Sequence, residues 1–172
     1  MTLNLKSTLL WLSAAIAVSA NAETPQPPAP NEPDGAIGGH EYVDLGLPSG
    51  ALWATYNVGA SSPYETGQYF AWGEVEPKED FSWESYKFFE GYEHDPENGH
   101  WAVLENIGND ISGTEYDAAR HQWGNGWRLP NEQERYELRM LCWHNGISEE
   151  NGIRGARIYG PNGHSIFLPI CG

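Results

Sequence analysis

An α+β domain is predicted from three features of the sequence: a strongly capped helix, a shorter second helix and a β-hairpin near the C-terminus. The first helix is expected over Asn131–Trp143. Pro130 precedes Asn131, whose side chain can cap the first turn, and Glu134 three residues later completes a capping box. Glu132, Glu134 and Glu137 lie toward the positive end of the helix dipole and Arg139 toward the negative end. Leu138, Leu141 and Cys142 share one face, and Tyr136, Met140 and Trp143 the opposite one. A helix apolar on two sides is expected to be packed on two sides. The second helix is expected over Tyr116–Trp123, with Asp117 near its start and Gly124 closing it. Arg154–Tyr159 and His164–Leu168 flank Gly160-Pro161-Asn162-Gly163, in which Pro161 supplies a fixed φ and Asn162 tolerates unusual dihedrals.

The rest of the chain divides by composition. Residues 1–22 read as a secretory signal peptide. Lys6 is their only charge, the apolar run Leu9–Ala17 is too short to span a bilayer, and Ala20-Asn21-Ala22 is a small-x-small cleavage site. No cysteine near the cut marks a lipid anchor. Residues 23–38 read as a spacer, its proline-rich Glu23–Asp34 part extended and semi-rigid. The folded domain is expected over residues 39–172. Within it, Tyr42–Leu45 and Leu52–Val58 are strand candidates. Tyr69–Gly73 is a short aromatic run leading into the acidic turn Glu74–Asp80. Phe81–Trp101 alternates aromatic with turn-forming residues and receives no regular structure, apart from a turn at Asp95–Gly99. Asn145–Gly152 reads as a polar connection.

Charge narrows the partners. Loss of residues 1–22 removes Lys6 and no acid, leaving 24 acidic residues against 8 basic ones. That balance argues against nucleic acid and anionic membrane surfaces, and no apolar run after the signal is long enough to span a membrane. The product is expected to be secreted, periplasmic or held at the cell surface. Cys142 and Cys171 are compatible with one disulfide in an oxidising compartment.

Five segments in order, HEYVDLGLPSG, ALWATYNVGASSP, YFAWGEVEPK, DAARHQWGNGWRLP and YGPNGHSIFLP, together resemble the Fibrobacter succinogenes major paralogous (FISUMP) domain. This is a module of exported proteins in gut and rumen Bacteroidetes and their relatives. The resemblance runs from about His40 to Pro169. It implies a C-type-lectin-like fold, two helices flanking a small antiparallel sheet, and no established enzymatic activity. It further implies that the chain lacks the later strands and long-loop region of typical members, and that Tyr56 stands where members often carry cysteine.

Seven tryptophans follow the signal. Trp53, Trp72, Trp123 and Trp127 lie in the shared segments and are expected to fill the core. Trp83, Tyr86, Tyr92 and Trp101 lie in the irregular stretch and are the candidates for an exposed binding patch, because exposed aromatic rings stack on sugar faces and anchor protein interfaces. Glu93, Asp95 and Glu97 are candidate calcium ligands by oxygen chemistry, but they lack EF-hand spacing, and solvated acidic loops are the plainer reading. The histidines show no zinc-ligand spacing, and no cofactor is implied. The sequence therefore reads as a non-enzymatic exported binding or structural module whose partner is a glycan or a cell-surface protein. An enzyme on the same fold and a truncated remnant without independent function are the alternatives.

Overall fold

The structure is a computed structural model and describes residues 32–95 and 99–171, the side chain of Asp95 excepted. The expected signal peptide and most of the expected spacer lie outside the described residues. Among the described residues the architecture is mixed α+β: two helices and three antiparallel sheets. No helix among the described residues is long and apolar enough to cross a membrane.

The first sheet has the order β1-β2-β3, with β1 at Gly35–Ile37, β2 at His40–Asp44 and β3 at Leu52–Ala54. It begins four residues before the expected domain boundary. Gly38 and Gly39, at φ 59° and 89°, make the two-residue turn that folds β1 onto β2, pairing Ile37 with His40. Both central positions of such a turn need positive φ, which glycine adopts freely. The second sheet is a hairpin of β4 (Phe89–Asp95) and β5 (Gly99–Leu104), with a bulge between Phe89 and Gly91. The stretch left without regular structure thus ends in two strands; residues 96–98 of the expected turn at Asp95–Gly99 lie outside the described residues.

The third sheet is built on β8 (Ile153–Tyr159), which pairs with β9 (Ser165–Pro169), β6 (Trp143–His144) and β7 (Ser148–Glu150). A strand has two edges, so β9 takes one and β6 and β7 share the other. Asn145–Gly152 is therefore not all connection. Asn151-Gly152 is a two-residue hairpin turn with φ 50° and 78° between β7 and β8. The β8–β9 turn has the expected place but a different division of labour. Gly163, not Asn162, carries the positive φ, and Asn162 Nδ2 donates to the Asp44 carbonyl at 2.8 Å. Gly160 lies so close to Leu45 that an added Cβ would sit 2.1 Å from its carbonyl oxygen. These two contacts pin the third sheet to the first.

The core cluster is Val43, Leu45, Leu47 and Ile166, with Trp53, Leu138, Cys142 and Ile158 packed against it. Each such aliphatic side chain contributes about 1.5–3 kcal/mol on full burial. Helix α2 (Glu132–Leu141) carries the capping box: Glu134 N–H donates to Asn131 Oδ1 at 2.9 Å, and Asn131 N–H returns to Glu134 Oε2 at 2.9 Å. Only the Leu138–Cys142 side of this helix meets the core. Tyr136, Met140 and Leu141 are each about half exposed, so packing on two sides does not occur. The chain turns extended at Cys142, and Trp143 leaves the helix to pair in β6, its ring 5.1 Å from Tyr159. Helix α1 (Ala118–Trp123) is capped by Asp117 and closed by Gly124, as expected.

The two cysteines are both free. Cys142 precedes the residue opposite Tyr159, whereas Cys171 follows Ile170, whose N–H bonds the Arg154 carbonyl. Five residues of β8 separate those points, about 17 Å at 3.3 Å per residue, far beyond the roughly 7 Å that a disulfide spans. Burial pushes the Cys142 thiol up from its ordinary pKa.

Candidate binding surface

The loop before β4 is held by a lysine and a glutamate. Lys78 Nζ donates to Glu74 Oε1 at 3.0 Å and to the Ser85 carbonyl at 2.6 Å, while Glu74 Oε1 also accepts from the Lys87 N–H. Both side chains are largely buried. Asp80 accepts from the Ser82 N–H, which holds its carboxyl below the usual range, and Ser85 Oγ donates to the Asp80 carbonyl. The acidic turn is thus bound into the loop by its own hydrogen bonds.

This scaffold presents a run of aromatic rings. Trp83 lies 6.3 Å from Tyr86 and 6.2 Å from Phe89, and Phe89 lies 4.9 Å from Tyr92. Strand residues three apart normally face opposite sides. The bulge between Phe89 and Gly91 resets the alternation and lets Phe89 and Tyr92 meet. Trp83 and Tyr92 are 47% and 54% exposed, so the run ends in two solvent-facing rings. The Tyr92 hydroxyl donates to Glu84 Oε1 at 3.2 Å, and the Tyr86 hydroxyl donates to the Trp72 carbonyl at 2.8 Å. Desolvation, joined for Tyr92 by Glu84 and for Tyr86 by Glu74, raises both phenol pKa values.

Three of the four predicted patch residues therefore come together, and Trp101 does not. Trp101 pairs with Glu93 and Tyr92 with Ala102, so adjacent pairs put the two rings on opposite faces of the hairpin. Phe89 completes the run but was not among the predicted residues. The Phe88-Phe89 dipeptide at the entry to β4 is its signal, since two adjacent rings cannot both face the core: Phe88 is 4% exposed and Phe89 half-buried. Among the calcium candidates, Glu93 is exposed on the hairpin. The side chain of Asp95, and Glu97 entirely, lie outside the described residues. No group of three or more His, Cys, Asp or Glu among the described residues is placed to hold a metal ion together.

A second concave feature lies between the first sheet, α2 and β9. It is a cavity of about 380 Å³ walled by Trp53, Tyr56, Trp123, Trp127, Leu138 and Ile166. His40 stacks on Trp123 at 4.2 Å, and Trp123 meets Trp127 edge-on at 5.1 Å. Trp127 is 7% exposed and its indole N–H donates to the Ile37 carbonyl at 2.9 Å. Trp53 Nε1 is buried without a partner among the described residues. Of the four tryptophans expected in the core, Trp127 is buried, and Trp53 and Trp123 wall the cavity. Trp72 is 47% exposed, contrary to expectation, because it sits on the loop that carries the aromatic run.

Beside the cavity, Arg128 makes a bidentate pair with Glu134 at 2.6 and 2.5 Å. The guanidinium holds the Glu134 carboxyl below the usual range, while Glu134 raises the Arg128 pKa. The two charges are thus spent on each other and on the helix cap. Against protein-family models, curated proteins and solved structures, the chain gives no match.

Proposed function

We propose that the chain is an exported, non-enzymatic binding module of the FISUMP type with a C-type-lectin-like fold, and that its Trp83–Phe89–Tyr92 face binds glycans at the bacterial cell surface or in the periplasm. The observation that supports this reading is a contiguous run of part-exposed rings ending beside a carboxylate. A pyranose offers an apolar C–H face to an aromatic ring and a rim of hydroxyls to polar groups. Trp83 and Tyr92 supply the first kind of contact, Glu84 and the Tyr92 hydroxyl the second. The acidic surface favours neutral or cationic saccharides over polyanionic ones.

A glycan array probed with the purified chain and with Trp83→Ala and Tyr92→Ala tests the proposal. Saturable binding to neutral or amino sugars is expected, weakened by each substitution by about tenfold, the loss typical of an aromatic anchor. An array that stays blank, or binding unchanged in both variants, rejects it. A cell-surface extract passed over the immobilised chain separates the protein-partner alternative, since capture there survives removal of glycans.

A further inference from the structure

The β4–β5 hairpin carries a second feature that the aromatic run does not use. His94 and His100 are directly opposed across the two strands, and their rings lie 4.3 Å apart with a 29° tilt. Both are exposed. The other described histidines are engaged elsewhere. His40 stacks on Trp123, His121 pairs with Glu76 at 3.1 Å, His164 pairs with Asp34 at 3.2 Å, and His144 Nδ1 accepts from the Gly146 N–H at 3.1 Å. Among the described residues, His94 and His100 have each other.

We propose that His94 and His100 form a two-histidine site for a divalent transition-metal ion of the zinc and copper class, completed by water, which staples β4 to β5. Imidazole is a preferred ligand for zinc, copper and nickel. Two nitrogens bound to one zinc at about 2.0–2.1 Å sit roughly 3.3 Å apart at the tetrahedral angle. Imidazole lone pairs lie in the ring planes, here only 29° from parallel, so the two rings turn out of their stack to converge on one ion. Side-chain rotation alone closes the remaining gap, because the backbone pairing holds the two residues face to face. The site differs in kind from the calcium reading of the same hairpin: calcium takes oxygens, and zinc or copper takes these nitrogens. It also differs in place, because Glu93 pairs with Trp101 on the other face.

Calorimetric titration of the full chain with Zn²⁺, Cu²⁺ and Ca²⁺, with His94→Asn and His100→Asn alongside, tests the site. One equivalent of Zn²⁺ or Cu²⁺ is expected to bind, Cu²⁺ more tightly in keeping with the Irving–Williams order. Each single variant should lose about tenfold or more in affinity, the least expected when a direct ligand is removed. Zn²⁺ should also slow amide exchange in β4 and β5 of the parent chain and not of the variants. The proposal is overturned if both variants bind Zn²⁺ as the parent does, if Zn²⁺ binding is weaker than about 1 mM, or if Ca²⁺ protects the hairpin and Zn²⁺ does not. Thermal melts of both variants matching the parent keep a loss of binding from being a loss of fold.

Discussion

The two aromatic regions use the same residue types to opposite ends. Around Trp127, rings meet backbone that is tied to distant sequence: its indole bonds Ile37, ninety residues earlier. Nearby Asp117, 1% exposed, accepts from the N–H groups of Arg120, Gly113 and Leu129 at 3.0, 2.7 and 2.8 Å. Around Trp83, the ring contacts of Trp83, Tyr86, Phe89 and Tyr92 and the hydrogen bonds of the two tyrosine hydroxyls stay within residues 72–92, and two rings face solvent. Long-range anchoring makes an aromatic cluster structural. Local anchoring with open faces leaves it free for a partner.

That contrast is broken most forcefully by Trp127→Ala, expected to cost about 3–5 kcal/mol as a large-to-small change in packed surroundings. Urea denaturation measures it, and a loss under 1 kcal/mol would place Trp127 with the surface rings. Asp117→Ala comes next. It removes a helix cap and orphans two further N–H groups, for about 2–3 kcal/mol, read from the same denaturation curves.

Glu134→Gln removes the charge of the Arg128 pair while keeping its shape. Because the Arg128 side chain is 44% exposed, solvent screening limits the cost to about 1–2 kcal/mol. The pH dependence has a definite sign. The folded-state pKa of Glu134 is depressed, so its stabilisation is fully present above the unfolded value of about 4.3 and is lost as pH falls through the lower folded value. Glu134→Gln should therefore flatten the acid limb of stability below about pH 5. An unchanged acid limb would mean that the pair carries no net stabilisation. The smallest expected effect is that of Trp83→Ala, within about 0.5 kcal/mol, since the ring is open to solvent. A larger loss in its denaturation midpoint would show that the run is itself a core.

How much of this was legible in the sequence follows from how local each signal is. The capping box at Asn131 and Glu134, the Asp117 cap and the β8–β9 hairpin are written in residues within four or five positions of each other, and all three form. Two glycine-bearing turns carry equally local signals, Gly38-Gly39 and Asn151-Gly152, and each joins a short strand that composition alone does not mark. The far face of α2 lies open to solvent despite its apolar residues, because periodicity reports which residues are apolar and not whether anything arrives to cover them. At the candidate surface, composition pointed to Trp83, Tyr86 and Tyr92. Phe89 and the exclusion of Trp101 depend on a bulge and a strand register that pairing alone decides. The cavity was illegible for the same reason, since its walls converge from β3, β9, α2 and the loops between them.

The most direct test of the division between the two regions is to follow the indole N–H resonances while titrating in the glycan that binds best on the array. The account predicts that the Trp83 resonance moves saturably while those of Trp123 and Trp127 stay in place. Saturable movement of Trp123 and Trp127 with Trp83 unmoved would put the ligand in the cavity and contradict it.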